Sequence, residues 1–273
     1  FWNLEFIYGF HVKIAHNPDS FHRTVDVSSS SNKSYKEWKA LLTGRGIKRH
    51  GKGLVSGAKV VSELINLYPE RIKGWITAPD GSPPPTEMNW NIPWYRLNKN
   101  LFRELDIYGT GHSLLVVKIP EPVPFREEDT AEKIILLIPF QDPSNIGAVI
   151  RSAAAFGVTT VVLLEEAAHP FHPKSIRAAG TPLFTVKCIK GPSINKIDKI
   201  GRPVIALSRD GCDVSTFRFP ERFAILPGLE GPGLPEGLNA DYTVSIPIEP
   251  SVESLNAAVA TSIVLYELGK KRR

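Results

Sequence analysis

Three short stretches hold the polar residues of this sequence that could do chemistry. In the first, DPSNIGAVIRSAAAFG from position 142, Asn145 stands six residues before Arg151. An amide can position a substrate group, and a guanidinium, which stays protonated, can stabilise a developing anion or meet a partner surface. Taken alone, this stretch also has an ordinary interpretation, in which Asn145 caps a helix that ends before Gly157.

The second stretch, LPGLEGPG from position 226, is rich in glycine and holds one carboxylate, Glu230. Pro232 and Pro235 exclude the helix that a dinucleotide-binding fingerprint requires, and the chain has no P-loop pattern. Backbone at Gly228 could approach a flat ligand closely, because glycine has no side chain. A tight surface connection is an equally open alternative for this loop.

The third stretch, SIPIEPSVESLNAAVATSIVLYEL from position 245, predicts a helix with apolar sides and a polar start between Ser251 and Leu268. Ser251 can cap this helix, and Glu253 suits its dipole. Asn256 is not needed for capping, and an unpartnered amide in an apolar helix costs on the order of 1–3 kcal/mol. We therefore expect the amide of Asn256 to have a partner.

All three stretches follow continuous apolar runs, which are typical of parallel strands buried on both faces. The predicted strands are IILLI (134–138), TTVVLLE (159–165), FTVKCI (184–189), PVIAL (203–207), RFAIL (222–226) and YTVSI (242–246). Helical segments between them predict an α/β domain with a doubly wound, mostly parallel sheet. Ligands of such sheets bind at the carboxyl ends of the strands, where the polar stretches lie.

The rest of the chain divides by composition. Residues 1–34 end in a serine-rich run and are predicted to be an extension or linker. Residues 35–120 mix helical windows with short strands, which predicts a small α/β domain. The proline-rich and charged segment 121–132 is predicted to be a second linker, and the doubly wound domain covers residues 133–273.

Composition narrows the function further. A net charge of +5 and a pI of about 9.1 favour a polyanionic partner, and nucleic acid is the first to consider. Cys188 and Cys212 form no CxxC pair, and His169 and His172 have no carboxylate at ligand spacing, so we predict neither a disulfide framework nor a metal. The sequence shows neither a membrane span nor a secretion signal, which favours a reducing, cytoplasmic location. Because it begins with Phe, the chain could be a fragment.

Taken together and in this order, the three stretches resemble the signature motifs of the SpoU/TrmH-type RNA ribose methyltransferases, over residues 133–273. The resemblance implies a SPOUT-superfamily α/β fold with a trefoil knot, a homodimer formed through the knotted domain, and S-adenosylmethionine as methyl donor. It also implies a ribose 2′-hydroxyl of structured RNA as acceptor, with 23S-type ribosomal RNA favoured. The sequence departs from the family pattern at Leu229, and in lacking a glycine soon after Pro247.

The resemblance also implies roles for individual residues. Catalytic or positioning roles fall to Asn145, Arg151, Glu230, Ser254 and Asn256. Cofactor binding falls to backbone at Gly228, Ile246 and Leu255, with Leu207 lining the same pocket.

Residues 35–120 resemble the small L30e-like RNA-binding domain that often precedes this catalytic domain. Eight cations and one acid, Glu37, lie between positions 33 and 59, and we predict phosphate binding by Lys48, Arg49 and Lys52. Two alternatives stay open: a tRNA 2′-O-methyltransferase, and a non-catalytic RNA-binding protein that keeps the knotted domain.

Overall fold

The computed structural model describes residues 23–85, 92–126, 132–229 and 233–272 of the chain, and two β-sheets organise them. The first unit has a mixed sheet with the strands β1 (Thr24–Val27), β2 (Lys52–Val55), β3 (Ile72–Thr77), β4 (Trp94–Leu97) and β5 (Leu114–Lys118), in the order β1-β4-β3-β5-β2. Its helices are α1 (Lys33–Ala40), α2 (Gly44–His50), α3 (Ala58–Leu67) and α4 (Lys99–Leu105), with a 3-10 turn at Pro69–Arg71.

The second unit has a sheet of seven parallel strands. These are β6 (Val123–Pro124), β7 (Ile134–Ile138), β8 (Thr160–Leu163), β9 (Lys187–Lys190), β10 (Val204–Asp213), β11 (Phe223–Leu226) and β12 (Tyr242–Ser245). Their order is β12-β10-β11-β7-β8-β9-β6. The helices are α5 (Pro143–Ala155), α6 (Pro173–Ala179), α7 (Pro182–Thr185) and α8 (Ala257–Lys271), with a 3-10 segment at Ile194–Ile200.

The predicted α/β class with a mostly parallel sheet is confirmed. From β7 the chain adds β8 and β9 on one side and then places β10, β11 and β12 on the other. All five side chains of β7 are buried, because both faces of the sheet are covered. The trefoil knot and the L30e-like character of the first unit stay predictions. No helix in the described ranges combines the length and apolarity that crossing a membrane requires.

The predicted linkers need correction. β1 pairs with β4 in parallel, and α1 begins at Lys33, so residues from Thr24 onward belong to the first unit. The serine-rich run after β1 is the turn that leads into α1, where Asn32 accepts from two backbone N–H groups. Likewise β6, inside the predicted second linker, pairs with β9 at the edge of the large sheet. Residues 1–22 and 127–131 of the predicted linkers lie outside the described residues.

The strand predicted at 184–189 begins later than expected. Phe184 and Thr185 lie in the short helix α7, and β9 begins at Lys187. Pro182 occupies the first helical position, which its fixed φ favours, and the Thr185 hydroxyl bonds back to the Pro182 carbonyl. Local turn chemistry therefore overrides the β-branched, aromatic pattern there.

The segment around α6 and α7 joins the two units. The His172 imidazole accepts from Lys174 N at its Nδ1, so its Nε2 carries the proton and donates to the Leu42 carbonyl of the first unit at 3.1 Å. Arg177 lies over the Tyr108 ring at 4.1 Å, and the Thr181 hydroxyl donates to Glu63 at 3.0 Å. Apolar contacts continue this interface, and one buried cluster runs through both units.

His169 lies at the same junction, against Gly44 of the first unit. Burial, followed by the charges of His172 and Lys48, lowers the pKa of His169 from 6.5 to about 4. Its Nδ1 accepts from Phe171 N at 3.1 Å, a bond that requires this nitrogen to be unprotonated. A depressed histidine pKa contributes stability that is complete above pH 6.5 and is lost as the pH falls towards 4.

We expect His169→Asn to reduce the loss of stability on mild acidification. Asparagine can keep the acceptor for Phe171 N but cannot titrate, so the unfolding free energy should fall between pH 7 and pH 5 by on the order of 1 kcal/mol less than in wild type. Urea titrations at both pH values measure the difference. His112→Asn, at an exposed histidine, is the matched control, and equal pH dependence in all three proteins would contradict the assignment.

Candidate functional site

The predicted site residues lie at one edge of the large sheet. β7, β11, β10 and β12 are neighbours in that order, and all run parallel. Their carboxyl ends therefore meet at the same edge, and the strand order switches direction between β7 and β11, which is where sheets of this kind bind ligands. α5 follows β7, the glycine loop follows β11, and the segment that leads to α8 follows β12.

α5 begins one turn earlier than predicted. Asp142 is the N-cap, and its carboxylate accepts from Ser144 N at 2.9 Å, with Pro143 at the first helical position. The prediction that Asn145 caps this helix is therefore wrong, because Asp142 already does so. The predicted end at Gly157 is confirmed by its φ of 77°. Asn145 lies within the first turn, and its side chain contacts the segment that leads to α8.

α8 begins later than predicted, and Asn256 caps it. The Asn256 Oδ1 accepts from Ala258 N at 2.9 Å and from Val259 N at 3.1 Å. The expectations that Ser251 caps and that Asn256 is not needed for capping are both wrong, because residues 251–255 are not helical. The expected partner for the amide exists: Asn256 Nδ2 donates to Asn145 Oδ1 at 3.3 Å. The first and third motifs are thus in direct contact.

The glycine loop returns on itself directly after β11. Leu229 N donates to Gly233 O at 2.7 Å, and Gly233 N donates to Leu229 O at 3.1 Å. A Cβ at Gly228 would lie 3.0 Å from the Gly233 carbonyl carbon, so this position leaves little room for a side chain. Glu230, the predicted carboxylate of the loop, lies outside the described residues. The second motif therefore provides a narrow backbone cradle beside β11.

The predicted cofactor residues lie on neighbouring segments of this edge. Leu207 of β10 pairs with Val244 of β12, and Ile246 follows the end of that strand. Leu255 directly precedes the cap of α8. Gly228, Leu207, Ile246 and Leu255 are all partly exposed, so the edge offers backbone and apolar side chains to a ligand.

Arg151 and Ser254 are exposed, and the structure does not bring Arg151 onto the face of Asn145. Six residues separate Asn145 from Arg151, which turns their side chains about 120° apart around α5. The Arg151 guanidinium makes no hydrogen bond or ion pair with a side chain or carbonyl of the described ranges. Ser254 lies in the extended segment before α8. Within the described ranges, no group of three or more His, Cys, Asp or Glu side chains could hold a metal ion.

α5 and α8 pack side by side from this shared start, a contact that the sequence did not indicate. The Ser152 and Ser262 hydroxyls are 2.7 Å apart, and the Phe156 and Tyr266 rings meet edge to face at 5.9 Å. A shallow, mostly apolar groove runs between the two helices and includes Val259, which is half exposed. Apolar spacing on each helix was visible in the sequence, but the pairing of distant helices was not.

Of the predicted RNA-binding residues, Lys48 and Arg49 are exposed in the last turn of α2. Lys52 differs, because its ammonium pairs with Glu37 at 2.6 Å. Glu37, the one acid among these cations, thus neutralises part of the predicted phosphate surface.

Residues 132–266 match the model of the SpoU rRNA Methylase family. This part of the chain therefore belongs to the family, and the resemblance drawn from the three motifs over residues 133–273 is confirmed. The family match and the fold define the class as that of the SpoU-type methyltransferases.

Two relatives of known name are ribosomal RNA methyltransferases. The chain is 42% identical over 250 residues to the ribosomal RNA small subunit methyltransferase G 2 of Syntrophobacter fumaroxidans, a match that covers 90% of this chain. It spans only about half (49%) of that relative's length. It is 28% identical over 249 residues to the 23S rRNA (guanosine(2553)-2′-O)-methyltransferase RlmP of Bacillus subtilis, covering 89% of this chain and 98% of RlmP.

A solved structure extends the likeness to three dimensions. The SpoU methyltransferase AviRb from Streptomyces viridochromogenes, in complex with the cofactor AdoMet, superposes with a TM-score of 0.71 at 26% identity. The superposition covers 88% of this chain and 98% of AviRb, so it includes both units.

We expect two substitutions of Asn256 to show whether its side-chain oxygen caps α8. Asn256→Ala removes the cap of α8 and should lower the unfolding free energy by about 1 kcal/mol. Asn256→Asp keeps an acceptor for Ala258 N and Val259 N, so it should remain within about 0.5 kcal/mol of wild type. Urea unfolding measures both values, and an equal loss in the two variants would contradict the capping role.

Proposed function

We propose that this chain is an S-adenosylmethionine-dependent methyltransferase that acts on a ribose 2′-hydroxyl of structured RNA, with ribosomal RNA as the substrate class. The observation that carries the proposal is the contact between Asn145 and Asn256, at the sheet edge where the glycine loop follows β11. The name of RlmP supports the acceptor, and the AdoMet bound by AviRb supports the methyl donor. The net charge of +5 suits a polyanionic substrate, and a cytoplasmic location goes with this function.

This sheet edge fits the cofactor. The Gly233 backbone occupies the space that a side chain at Gly228 would need, and the partly exposed backbone of Gly228, without a side chain, can approach a flat adenosyl group closely. Backbone at Gly228, Ile246 and Leu255 would hold the cofactor, and the Leu207 side chain would cover it. When bound, S-adenosylmethionine supplies an electrophilic methyl group next to the acceptor hydroxyl.

The protein's own residues align the ribose with the methyl donor, stabilise the developing negative charge and accept the released proton. Asn145, Ser254 and Asn256 position the ribose and the cofactor loop, which brings the reacting groups close together. Arg151 stabilises the developing alkoxide or the adjacent phosphate, since a guanidinium stays protonated and is a poor base. Glu230 or water accepts the proton that the hydroxyl releases.

We also propose a homodimer formed through the α5–α8 groove. Val259 and Tyr266 are each half exposed there, and the groove between the helices is mostly apolar. A second copy bound on this groove would cover that surface. It would also allow Arg151 of one chain to approach the Asn145–Asn256 pair of the other, which the angle between the side chains on α5 does not permit within one chain.

The test of the function is methyl transfer to ribosomal RNA, with Arg151→Ala as the diagnostic variant. Mass mapping of RNA incubated with wild type and the methyl donor should show one new ribose methylation. Arg151→Ala should lose at least about 100-fold in single-turnover rate, because its cation favours the developing charge. Its cofactor affinity, measured by calorimetry, should stay within about twofold, because backbone and Leu207 hold the cofactor.

Two results would count against these assignments. RNA left unmodified by wild type would favour the non-catalytic alternative. A collapse of cofactor affinity in Arg151→Ala with methylation retained would refute the role of the guanidinium.

For the dimer, we expect Val259→Glu to shift the protein from dimer to monomer in sedimentation equilibrium. The substitution places a charge in the centre of the apolar groove, where it would be desolvated. Leu67→Glu, at an exposed leucine on α3 of the first unit, is the matched control and should leave the dimer intact. A monomeric wild type, or a dimeric Val259→Glu variant, would exclude this interface.

A further inference from the structure

A large cleft lies between the two units, separate from the groove of α5 and α8. Its volume is about 1820 Å³. One wall consists of α2, the start of β3 and the end of β5, all in the first unit. The other wall consists of the ends of β8 and β9 and the segment around His169, all in the second unit.

The cleft is strongly basic. Eight lysine and arginine side chains line it, against three glutamates. Three of these cations are engaged within the protein: Lys52 pairs with Glu37, while Arg71 and Lys73 bind the carboxylate and the carbonyl of Glu70. The other five are exposed and make no ion pair with any described residue: Arg45, Lys48, Arg49, Lys118 and Lys190. Such a surface is suited to a polyanion.

These five cations come from both units. Arg45, Lys48 and Arg49 lie on α2, and Lys118 ends β5 of the first unit, whereas Lys190 ends β9 of the second. Lys48 lies near enough to His169 of the opposite wall to help lower its pKa. A ligand in the cleft would therefore contact both units at once.

The lining histidines add neutral polar groups. Burial lowers the pKa values of His169 and His172, so both rings are uncharged at neutral pH. His169 uses its Nδ1 to accept from Phe171 N, which leaves the proton on Nε2. A neutral N–H donor among ammonium and guanidinium groups suits phosphate or sugar oxygens.

The cleft also leads towards the proposed methylation site. β8 is the neighbour of β7, which runs into α5, so the ends of β8 and β9 continue the same sheet edge. Asp142, the cap of α5, lies close enough to His172 to influence its pKa. A chain lying in the cleft can therefore continue to the first turn of α5.

We propose that this cleft binds the sugar-phosphate backbone of the substrate RNA next to the methylated nucleotide, with Lys118 and Lys190 contacting phosphates from opposite walls. The inference rests on the proposed function and names the surface that holds its substrate. Neither lysine lies in the basic run of residues 33–59. The bound RNA would bridge the units, whose relative position is already fixed by His172, Arg177 and Thr181.

The experiment compares two double variants with the same change in charge. Lys118→Glu/Lys190→Glu alters the cleft, whereas Arg103→Glu/Lys199→Glu alters one exposed cation of each unit outside both the cleft and the basic run of residues 33–59. Binding of a transcribed 23S rRNA fragment is followed by fluorescence anisotropy over a range of KCl concentrations. Calorimetry with S-adenosylmethionine tests in parallel whether the large domain remains intact.

We expect the cleft variant to raise the Kd for RNA at least tenfold. The slope of log Kd against log salt concentration should also decrease by about 2, since each lost phosphate contact lowers this slope by about 0.9. The control variant should stay within about twofold, and both should bind the cofactor like wild type. Equal weakening by both variants, no weakening by the cleft variant, or no RNA binding by wild type would each overturn the proposal.

RNA binding and methylation, measured separately, distinguish a failure of the cleft proposal from a failure of the proposed reaction. A wild type that binds RNA through the cleft but methylates nothing refutes the reaction and keeps the cleft. A wild type that methylates RNA while the cleft variant binds it normally refutes the cleft alone.

Discussion

The candidate site depends on one hydrogen-bonded junction, in which Asn256 caps α8 and reaches Asn145 in the first turn of α5. The side-chain Oδ1 of Asn256 accepts from two backbone N–H groups of α8, and its Nδ2 donates to Asn145 Oδ1 at 3.3 Å. One side chain thus fixes where α8 begins and which element lies beside it. The hydroxyl contact between Ser152 and Ser262 continues the alignment of the two helices. Through this junction the first and third motifs meet at the sheet edge that the glycine loop completes.

A second constraint sets how the first unit lies against that edge. His172 caps α6 with one ring nitrogen and bonds to the first unit with the other, which only the neutral imidazole can do in this arrangement. Arg177 and Thr181 extend the contact along the same segment. The basic cleft depends on this contact. One wall of the cleft belongs to each unit, so the distance between the walls is set by the segment that joins the units.

The features that could be predicted from the sequence are those that local residue patterns determine. β7 was predicted with its observed bounds because IILLI is a continuous apolar run, and the end of α5 was predicted because glycine tolerates the φ of 77° at Gly157. The site edge was predicted because carboxyl ends of parallel strands bind ligands. The three motifs identified the residues, and the structure brings Asn145 and Asn256 into contact.

What could not be predicted depends on distant contacts or on competing local signals. β1 has only four residues beside a serine-rich turn, and its pairing with β4 could not be seen in the sequence. Ser251 after Pro250 has the local pattern of a helix cap, but the chain stays non-helical as far as Leu255, and Asn256 is the cap. Lys118 and Lys190 are single charges at strand ends, and only the fold places them on facing walls.

The most direct test of the account is a double-mutant cycle on the Asn145–Asn256 junction, with kcat/KM for methyl transfer as the readout. The single variants Asn145→Ala and Asn256→Asp and the double variant are compared with wild type, because Asn256→Asp retains the cap while removing the amide donor. Direct contact predicts a coupling energy of at least about 0.5 kcal/mol, so the double variant should lose less than the sum of the single losses. Additive losses, within about 0.3 kcal/mol, would contradict the claim that this junction assembles the site.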